Sequence, residues 1–400
     1  MKKLFAILLA GAMLLGLAAC GQKPKNDCKL PPGPKSAATA FQQEFHLAHT
    51  AESARGCAAD NGYYFVDGKH FVHFVEKETM KSTILCGKPQ CRHTDQTCNA
   101  SVPWAEHITW YDSRLYYDGP NDKDGTWCLY AMDADGTNHT QVQELWPSAN
   151  GVSTMQLQFV LNHGLICFVS NEGKEIRAGK LGDRLEDTVF LLSTDDEIIE
   201  GDEFTGNEYQ LWADGSCFYI MVVEKQDKYF KQTRYCYDPE QGSVEAVWTV
   251  PDQAEVGAWD TAGVTVNGWT VRDGSLYYFL SGNGVYQYSF EEQENKRLFA
   301  CKEKGTAAFD REAVYIDNRK NAISVYDLSG KLAGTLDYSS IYQNGGMAGS
   351  SLGVRIAGTD EQYLFLVTHN FSQGSGSDTQ LYFCKKSSIG AEKPQSLFGS

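Results

Sequence analysis

The stretch from Asp112 to Asn138, DSRLYYDGPNDKDGTWCLYAMDADGTN, contains the structural unit that the rest of the chain repeats. It holds two short aromatic strands with a period of two residues, Leu115–Tyr117 and Trp127–Met132, and a polar turn containing glycine follows each strand. Neither strand can bury its apolar side chains alone, so the unit must pack against neighbours of its own kind. The stretch therefore predicts an all-β protein built from repeats.

Looser copies of the first strand recur along the whole chain. They are Asn61–Phe65, Arg114–Tyr117, Gly164–Phe168, Gly215–Tyr219, Gly274–Tyr278, Glu312–Ile316 and Gln362–Phe365. Their spacing of roughly 40 to 60 residues is that of propeller blades, and no stretch shows the period of a long amphipathic helix. We predict an all-β propeller of seven blades, each a four-stranded antiparallel sheet. Six or eight blades are the alternatives, with Asp187–Glu208 as the tract that could supply an eighth.

The first residues predict an export signal. Lys2 and Lys3 precede an apolar run, Leu4–Leu17, that is too short to cross about 30 Å of hydrocarbon comfortably. Its ending, Leu17-Ala18-Ala19-Cys20, resembles the lipobox of bacterial lipoproteins. The resemblance implies that residues 1–19 are a lipoprotein signal peptide, that Cys20 is diacylated, and that the protein is held on the extracytoplasmic face of the cell membrane. Two acyl chains suffice for stable anchoring.

The composition divides the remaining chain into two parts. Residues 20–53, which are rich in proline and lysine, predict a flexible tether, and residues 54–400 predict a single propeller domain. The formal net charge of −16 argues against nucleic acid as a partner. The expected partners are the membrane, through the N-terminal lipid, and an extracellular protein, peptide or glycan.

One repeat unit carries a family resemblance. Leu129–Asn138, LYAMDADGTN, resembles the strand and turn of bacterial lipoprotein propellers related to the low-density-lipoprotein-receptor (TolB-type) β-propeller, of the uncharacterised kind found in anaerobic Gram-positive bacteria. The resemblance implies the propeller architecture. It assigns no activity, because propellers serve many functions through their loops.

The densest group of chemically versatile residues is CGKPQCRHTDQTC, Cys86–Cys98, which resembles a loop common in such lipoprotein propellers. Cys86, Cys91, His93 and Cys98 form a Cys3His set that suits a structural zinc ion with no open coordination position. Disulfides suit an exported chain equally well, and Cys57 and Cys128 lie in the adjoining blades. Reduced or redox-active thiols are the third alternative.

Other candidate sites are weaker. Cys217 and Cys236, on neighbouring strands of one blade, are a further disulfide candidate. The acidic tract between Asp195 and Glu208 lacks the spacing of a calcium loop and is typical of a solvated loop. No nucleophile elbow and no phosphate-binding glycine loop is present in the sequence, so no catalytic residue is assigned.

Tryptophans offer one route to ligand recognition, because an indole face can stack on a sugar. The candidates are Trp104, Trp110, Trp146, Trp212, Trp259 and Trp269. The primary hypothesis is a membrane-anchored, non-catalytic binding module. The alternatives are a carbohydrate- or peptidoglycan-active enzyme or accessory subunit, with two carboxyl groups about 5 to 9.5 Å apart, and a scaffold for envelope assembly.

Overall fold

The computed structural model describes residues 29–30, 55–146, 158–170, 175–193, 208–226, 229–249, 266–318, 320–344, 352–370 and 380–398. Within these ranges the chain forms seven four-stranded antiparallel sheets, arranged as the blades of a ring. Each blade runs through consecutive strands, so the strand order in a sheet is the order in the sequence. The prediction of seven four-stranded blades is confirmed, and the alternatives of six or eight blades are wrong.

The strand bounds follow the blades in chain order. Blades 1 to 4 comprise β1 (Gly56–Ala59), β2 (Gly62–Val66), β3 (Val72–Glu76), β4 (Ser82–Ile84); β5 (Ile108–Tyr111), β6 (Arg114–Pro120), β7 (Trp127–Asp133), β8 (Thr140–Trp146); β9 (Phe159–Asn162), β10 (Leu165–Ser170), β11 (Glu175–Lys180), β12 (Val189–Ser193); and β13 (Glu208–Asp214), β14 (Cys217–Gln226), β15 (Tyr229–Asp238), β16 (Ser243–Thr249). Blades 5 to 7 comprise β17 (Val266–Arg272), β18 (Ser275–Leu280), β19 (Gly284–Ser289), β20 (Glu294–Ala300); β21 (Thr306–Phe309), β22 (Ala313–Asp317), β23 (Ala322–Asp327), β24 (Leu332–Asp337); and β25 (Leu352–Thr359), β26 (Tyr363–Asn370), β27 (Gln380–Lys385), β28 (Gln395–Ser396).

The aromatic strands of the sequence pattern are the second strands of the blades. In β2 and β10 every residue is buried, which means that both faces of the strand are covered by neighbouring blades. Near-continuous apolar sequence suits a strand buried on both faces. The tract Asp187–Glu208 contributes β12, the outer strand of blade 3, and the last residue of the tract begins β13.

In the part of the chain that the structure describes, the hydrophobic core is divided into seven clusters, and each cluster lies between two adjacent blades. One joins Leu115 and Met132 of blade 2 to Cys57 and Tyr64 of blade 1. Another joins residues of blades 7 and 1, including Phe365 and Phe65, whose ring centroids lie 5.3 Å apart. Burial between the last and the first blade closes the ring and covers the apolar faces that these two blades would otherwise expose.

Buried carboxylates reinforce the last blades at the turns between first and second strands. Asp310 accepts hydrogen bonds from the Tyr315 hydroxyl at 2.6 Å and from Lys386 of blade 7. Asp360 accepts from the Tyr63 hydroxyl of blade 1 and pairs with Lys77 at 3.2 Å. These two aspartates therefore tie blade 6 to blade 7 and blade 7 to blade 1.

Short helices occur between strands, including α1 (Ser339–Asn344) and a 3₁₀ turn at Leu185–Asp187. Among the described helices, none has the length and apolar character needed to span a bilayer. Leu30, from the segment predicted as a tether, is buried in the core of blades 3 and 4, and its amide donates to the Pro239 carbonyl at 2.8 Å. The proposed signal peptide, Cys20 and the rest of the tether lie outside the described residues.

Candidate metal centre

Four donor atoms converge in the segment that connects blade 1 to blade 2. The Sγ atoms of Cys86, Cys91 and Cys98 and a ring nitrogen of His93 all lie within 4.8 Å of one another. The Nδ1 atom of His93 is 3.3 Å from Cys98 Sγ. The residues that the sequence spacing selected as a metal set are therefore brought together, and we call Cys86–Cys98 the knuckle.

The donor set fits a tetrahedral zinc ion. With Zn–S distances of about 2.3 Å and tetrahedral angles, neighbouring donors around one ion lie about 3.8 Å apart. The 4.8 Å limit leaves only a small contraction to reach that geometry. Three thiolates and one imidazole complete the coordination with protein ligands alone, which is typical of a structural site.

Tight turns bring the ligands together. The amide of Cys91 donates to the Lys88 carbonyl and the amide of Cys98 donates to the Asp95 carbonyl, both at 3.1 Å. The Asp95 carboxylate accepts hydrogen bonds from the Thr97 amide and hydroxyl. His93 has a left-handed φ of 53°, a conformation that histidine adopts more readily than most residues. Local turns thus hold the donors in place without a regular element.

The knuckle is attached to blade 1 at both of its ends. The Leu85 amide donates to the Val72 carbonyl at 2.9 Å, and the Val72 amide donates to the Ala100 carbonyl at 2.8 Å. A β-bridge joins Phe71 to Ser101. The first and last parts of the connection therefore flank the start of β3, with the four donors between them.

Blade 2 contacts the same connection through its turn between β7 and β8. A Cβ atom at Gly136 would lie 2.4 Å from the Leu85 carbonyl oxygen and 3.3 Å from that of Asn99. His139 Nε2 contacts the Asn99 oxygen at 2.9 Å, and its Nδ1 contacts the Tyr117 hydroxyl at 2.7 Å. The knuckle is thus wedged between blades 1 and 2, where a bound ion would fasten one blade to the other.

The thiols of the knuckle differ in acidity. Burial opposes ionisation of Cys86, but hydrogen bonds from the backbone amides of Lys88 and Asn99 outweigh it and lower the pKa of this thiol. Burial raises the pKa of Cys98 to about 12. Because zinc binds thiolates, binding would release protons, and Cys86 would be the easier of these two thiols to deprotonate.

The other predicted cysteine sites remain predictions. The cysteines of the described residues carry free thiols. Cys217 and Cys236 are hydrogen-bonded to each other on adjacent strands of blade 4. Cys57 lies in the core of blades 1 and 2 with Cys98, whereas the Cys128 thiol donates to the Thr126 carbonyl at 3.6 Å. Most of the acidic tract from Asp195 lies outside the described residues.

One buried pair has the composition of a catalytic dyad. His107 Nδ1 is 3.0 Å from Asp118 Oδ2, and Asp118 also accepts from the indole of Trp127 at 3.2 Å. His107 Nε2, where a nucleophile would have to lie, is buried without a hydrogen-bond partner among the described residues. The ring of Phe159 is the aromatic neighbour of His107, with centroids 6.2 Å apart. The His107–Asp118 pair thus fixes the position of His107, the residue directly before β5.

The tryptophans separate clearly by exposure. Those that serve the blade cores are Trp146, Trp212 and Trp269. Trp110 stacks on Tyr64 with centroids 5.6 Å apart, and Trp259 lies outside the described residues. Trp104 is 63% exposed. Of the described candidates for sugar stacking, Trp104 is the one with an open ring.

Comparisons with known proteins identify the fold alone. No family model matches the chain, and no curated protein matches it in sequence. Among solved structures, it is similar to a protein from a study of two prolyl endopeptidases, with a TM-score of 0.52 and 11% identity over 90% of this chain and 51% of that one. It is also similar to BamB from Moraxella catarrhalis (TM-score 0.43, 12% identity, 86% of each chain) and to the computationally designed Ika8 protein (TM-score 0.43, 10% identity, 88% of this chain and all of that one).

The similarity to the protein from the prolyl endopeptidase study agrees with the propeller fold. The chain spans about half the length of the prolyl endopeptidase, since it covers 51% of that protein. Fold and site together define a seven-bladed β-propeller with a candidate Cys3His metal centre between its first two blades.

Proposed function

We propose that this protein is a lipid-anchored, extracytoplasmic β-propeller that binds its ligand without transforming it, and that a structural zinc ion in the knuckle holds its first two blades together. The observation that carries the proposal is the closed Cys3His set, with all four donors within 4.8 Å of one another. Such a set offers no open position for a substrate or a water molecule. The metal therefore supports a surface and does not itself act on a substrate.

The buried polar groups of the ring also support a binding role. Among the described residues, the buried carboxylates that an enzyme could have used are Asp118, Asp310, Asp317 and Asp360, and Asp317 accepts from the Tyr338 hydroxyl at 2.7 Å. Each is occupied by hydrogen bonds from tyrosine, lysine, histidine, tryptophan or backbone groups of neighbouring segments. Carboxylates used in this way stabilise the blades, because each satisfies donors that burial would otherwise leave unpaired.

The zinc proposal is tested by metal analysis of the full-length protein purified under reducing conditions. We expect one zinc per chain, and we expect three additional titratable thiols after removal of the metal with a chelator. Cys91→Ser should reduce the zinc content, whereas Cys384→Ser, at a thiol far from the knuckle in sequence, should retain it. Bridged peptides involving Cys86, Cys91 or Cys98 in non-reducing mass spectrometry would overturn the zinc proposal in favour of disulfides.

The anchor and the binding role need separate experiments. Cys20→Ser should move the protein from the membrane fraction to the soluble fraction, and continued membrane association would contradict lipidation at this residue. Binding is tested with the detergent-solubilised full chain on a sensor surface, exposed to saccharides and to envelope proteins. Recovery of an unchanged ligand supports the proposal. Turnover of any of these probes by the purified protein would overturn the non-catalytic part.

A further inference from the structure

Trp104 occupies a turn position that normally belongs to glycine. The Ala105 amide donates to the Val102 carbonyl at 3.1 Å, which closes a turn with Pro103 and Trp104 at its centre. Proline fixes a negative φ at Pro103, while φ of Trp104 is 63°. These features define a type II turn, whose third residue is usually glycine or asparagine. A bulky aromatic residue there is a genuine outlier.

A second ring in a left-handed position lies beside it. His70 has a φ of 62° and closes the hairpin turn between β2 and β3, where its amide donates to the Asp67 carbonyl at 3.0 Å. Three-residue hairpin turns usually place glycine at this left-handed position. The centroids of the His70 and Trp104 rings lie 5.9 Å apart. Because blade strands alternate in direction, the β2–β3 and β4–β5 connections belong to the same face of the ring.

A largely buried ion pair, Arg55–Glu106, lies near the His70 imidazole, and Glu106 follows Trp104 by two residues. Arg55 donates to Glu106 Oε2 through Nε at 3.0 Å and through Nη2 at 2.6 Å. Arg55 is only 6% exposed, and its Nη1 atom has no hydrogen-bond partner among the described residues. Burial lowers the pKa of His70 and the positive charge of Arg55 lowers it further, whereas the negative charge of Glu106 raises it.

The cost of this arrangement indicates selection for something other than stability. A left-handed conformation costs a residue with a side chain about 1 to 2 kcal/mol, and glycine at position 70 or 104 would avoid it. Trp104 recovers little by burial, because more than half of its surface remains in solvent. Strained residues of this kind concentrate at binding and catalytic sites.

We propose that Trp104, His70 and the Arg55–Glu106 pair form a saccharide-binding subsite on this face of the ring, with the sugar ring stacked on the Trp104 indole and its hydroxyl groups bonded to the ion pair. The inference rests on the proposed binding function and assigns its ligand class. An open indole suits the flat C–H face of a pyranose, and the carboxylate of Glu106, whose side chain is 18% exposed, suits hydroxyl groups as an acceptor. The opposite charges of the pair balance each other and offer no net attraction to a charged peptide.

The knuckle fixes the position of this subsite. The Ser101 amide donates to the Cys98 carbonyl at 3.1 Å, and the Val102 amide donates to the His70 carbonyl at 2.9 Å. Trp104 therefore follows the last metal ligand by six residues, through a segment hydrogen-bonded to the loop that carries His70. The proposed zinc site and the proposed saccharide-binding subsite therefore follow one another in the connection between blades 1 and 2.

The test measures binding of the full-length protein to chitohexaose, cellohexaose, laminarihexaose and soluble peptidoglycan fragments, by calorimetry and by quenching of tryptophan fluorescence. We expect at least one probe to bind the wild type. We expect Trp104→Gly to weaken that binding at least tenfold, as for the removal of a central aromatic contact. The melting temperature should stay unchanged or rise, because glycine favours this φ. Trp104→Phe should restore part of the affinity.

Leu332→Ala is the matched control, because Leu332 is the other exposed large apolar side chain among the described residues, at 51% exposure, and lies in blade 6. It should bind as the wild type does. Saccharide binding that survives Trp104→Gly would overturn the subsite. Binding of a protein or peptide with no affinity for any saccharide would overturn the ligand class while leaving the proposed binding function intact. Absence of binding to every saccharide and every envelope protein would overturn both.

Discussion

Replacing Gly136 by alanine tests whether the knuckle really joins the first two blades. Gly136 lies in the β7–β8 turn of blade 2 with a φ of +80°. A Cβ atom there would lie 2.4 Å from the Leu85 carbonyl oxygen and 3.2 Å from Leu85 Cγ. Since Leu85 immediately precedes the first cysteine of the knuckle, the added methyl group would clash with the backbone at the start of the knuckle.

Two effects determine how much stability Gly136→Ala is expected to lose. The left-handed φ costs alanine about 1 to 2 kcal/mol. The contact at 2.4 Å must lengthen by about 1.0 Å to reach the ordinary 3.4 Å, and forced overpacking of this kind costs about 1 to 3 kcal/mol. The free energy of unfolding should therefore fall by about 2 to 5 kcal/mol, which lowers the melting temperature by roughly 3 to 7 °C in a domain of this size.

A matched variant separates the two effects. Gly125, in the same blade, has a φ of +73° with no atom within 4 Å of its virtual Cβ, so Gly125→Ala carries the conformational cost alone. Thermal unfolding of both variants is followed by circular dichroism in buffer with zinc and reductant, and zinc content is measured in parallel. We expect Gly136→Ala to be the less stable variant by about 1 to 3 kcal/mol and to hold zinc more weakly. Equal stability and equal zinc content in the two variants would refute the contact.

Three further changes have defined outcomes. Removal of zinc with a chelator should lower the melting temperature of the wild type but not that of Cys91→Ser, and equal decreases in both would contradict a stabilising ion at the knuckle. Burial opposes ionisation of Asp67, but His73 and the Phe71 amide outweigh it and lower its pKa below 3.8. Ionised Asp67 therefore stabilises the fold fully above about pH 4, and this stabilisation is lost as pH falls through the lowered pKa. Asp67→Asn should make the free energy of unfolding, measured in urea, less sensitive to acid. An unchanged dependence of that free energy on pH would contradict this role of Asp67. Asp360→Ala removes hydrogen bonds that join blades 7 and 1 and should cost about 2 to 4 kcal/mol, whereas a melting temperature equal to that of the wild type would show that ring closure depends on apolar packing alone.

The sequence predicted those strands that combine aromatic residues with a polar turn. All seven second strands, from β2 to β26, were located this way. The first strands were missed, and for β1 the reason lies in its composition. Its sequence, Gly56–Ala59, is made of small residues, and a Cβ at Gly56 would lie 2.4 Å from the ring of Phe65. In β1, close packing against the Phe65 ring thus excludes the large side chains that make a strand recognisable in sequence.

Local spacing revealed the metal ligands but not their surroundings. Cys86, Cys91, His93 and Cys98 lie close together in sequence, so the spacing itself carried the signal. The contacts of Gly136 and His139 with the knuckle join residues of different blades, and no local pattern encodes such contacts. The repeat unit that resembled other propellers, LYAMDADGTN, contains Gly136, but its resemblance gave no indication that the turn packs on the knuckle.

The exposed tryptophan could not be distinguished from its buried counterparts by sequence. Six tryptophans were candidates, and most of the described ones fill cores between blades. Proline before Trp104 indicates a turn, yet turn preferences predict glycine, not tryptophan, at the following position. Arg55 and Glu106 were missed because they lie just before β1 and β5, 51 residues apart. Their pairing depends on the closure of blades 1 and 2 against each other.

The positions of the knuckle and of Trp104 explain how the strained turn persists. Left-handed conformations at His70 and Trp104 together cost about 2 to 4 kcal/mol, and a free loop would relax to avoid that cost. Here the connection is hydrogen-bonded to blade 1 at Leu85 and Val102, and a zinc ion would fix its middle by four further bonds. Loss of the metal should therefore release the turn as well as loosen the blades. If the chelated protein kept full saccharide affinity, the metal would stabilise the ring without positioning Trp104, and the two sites would be independent.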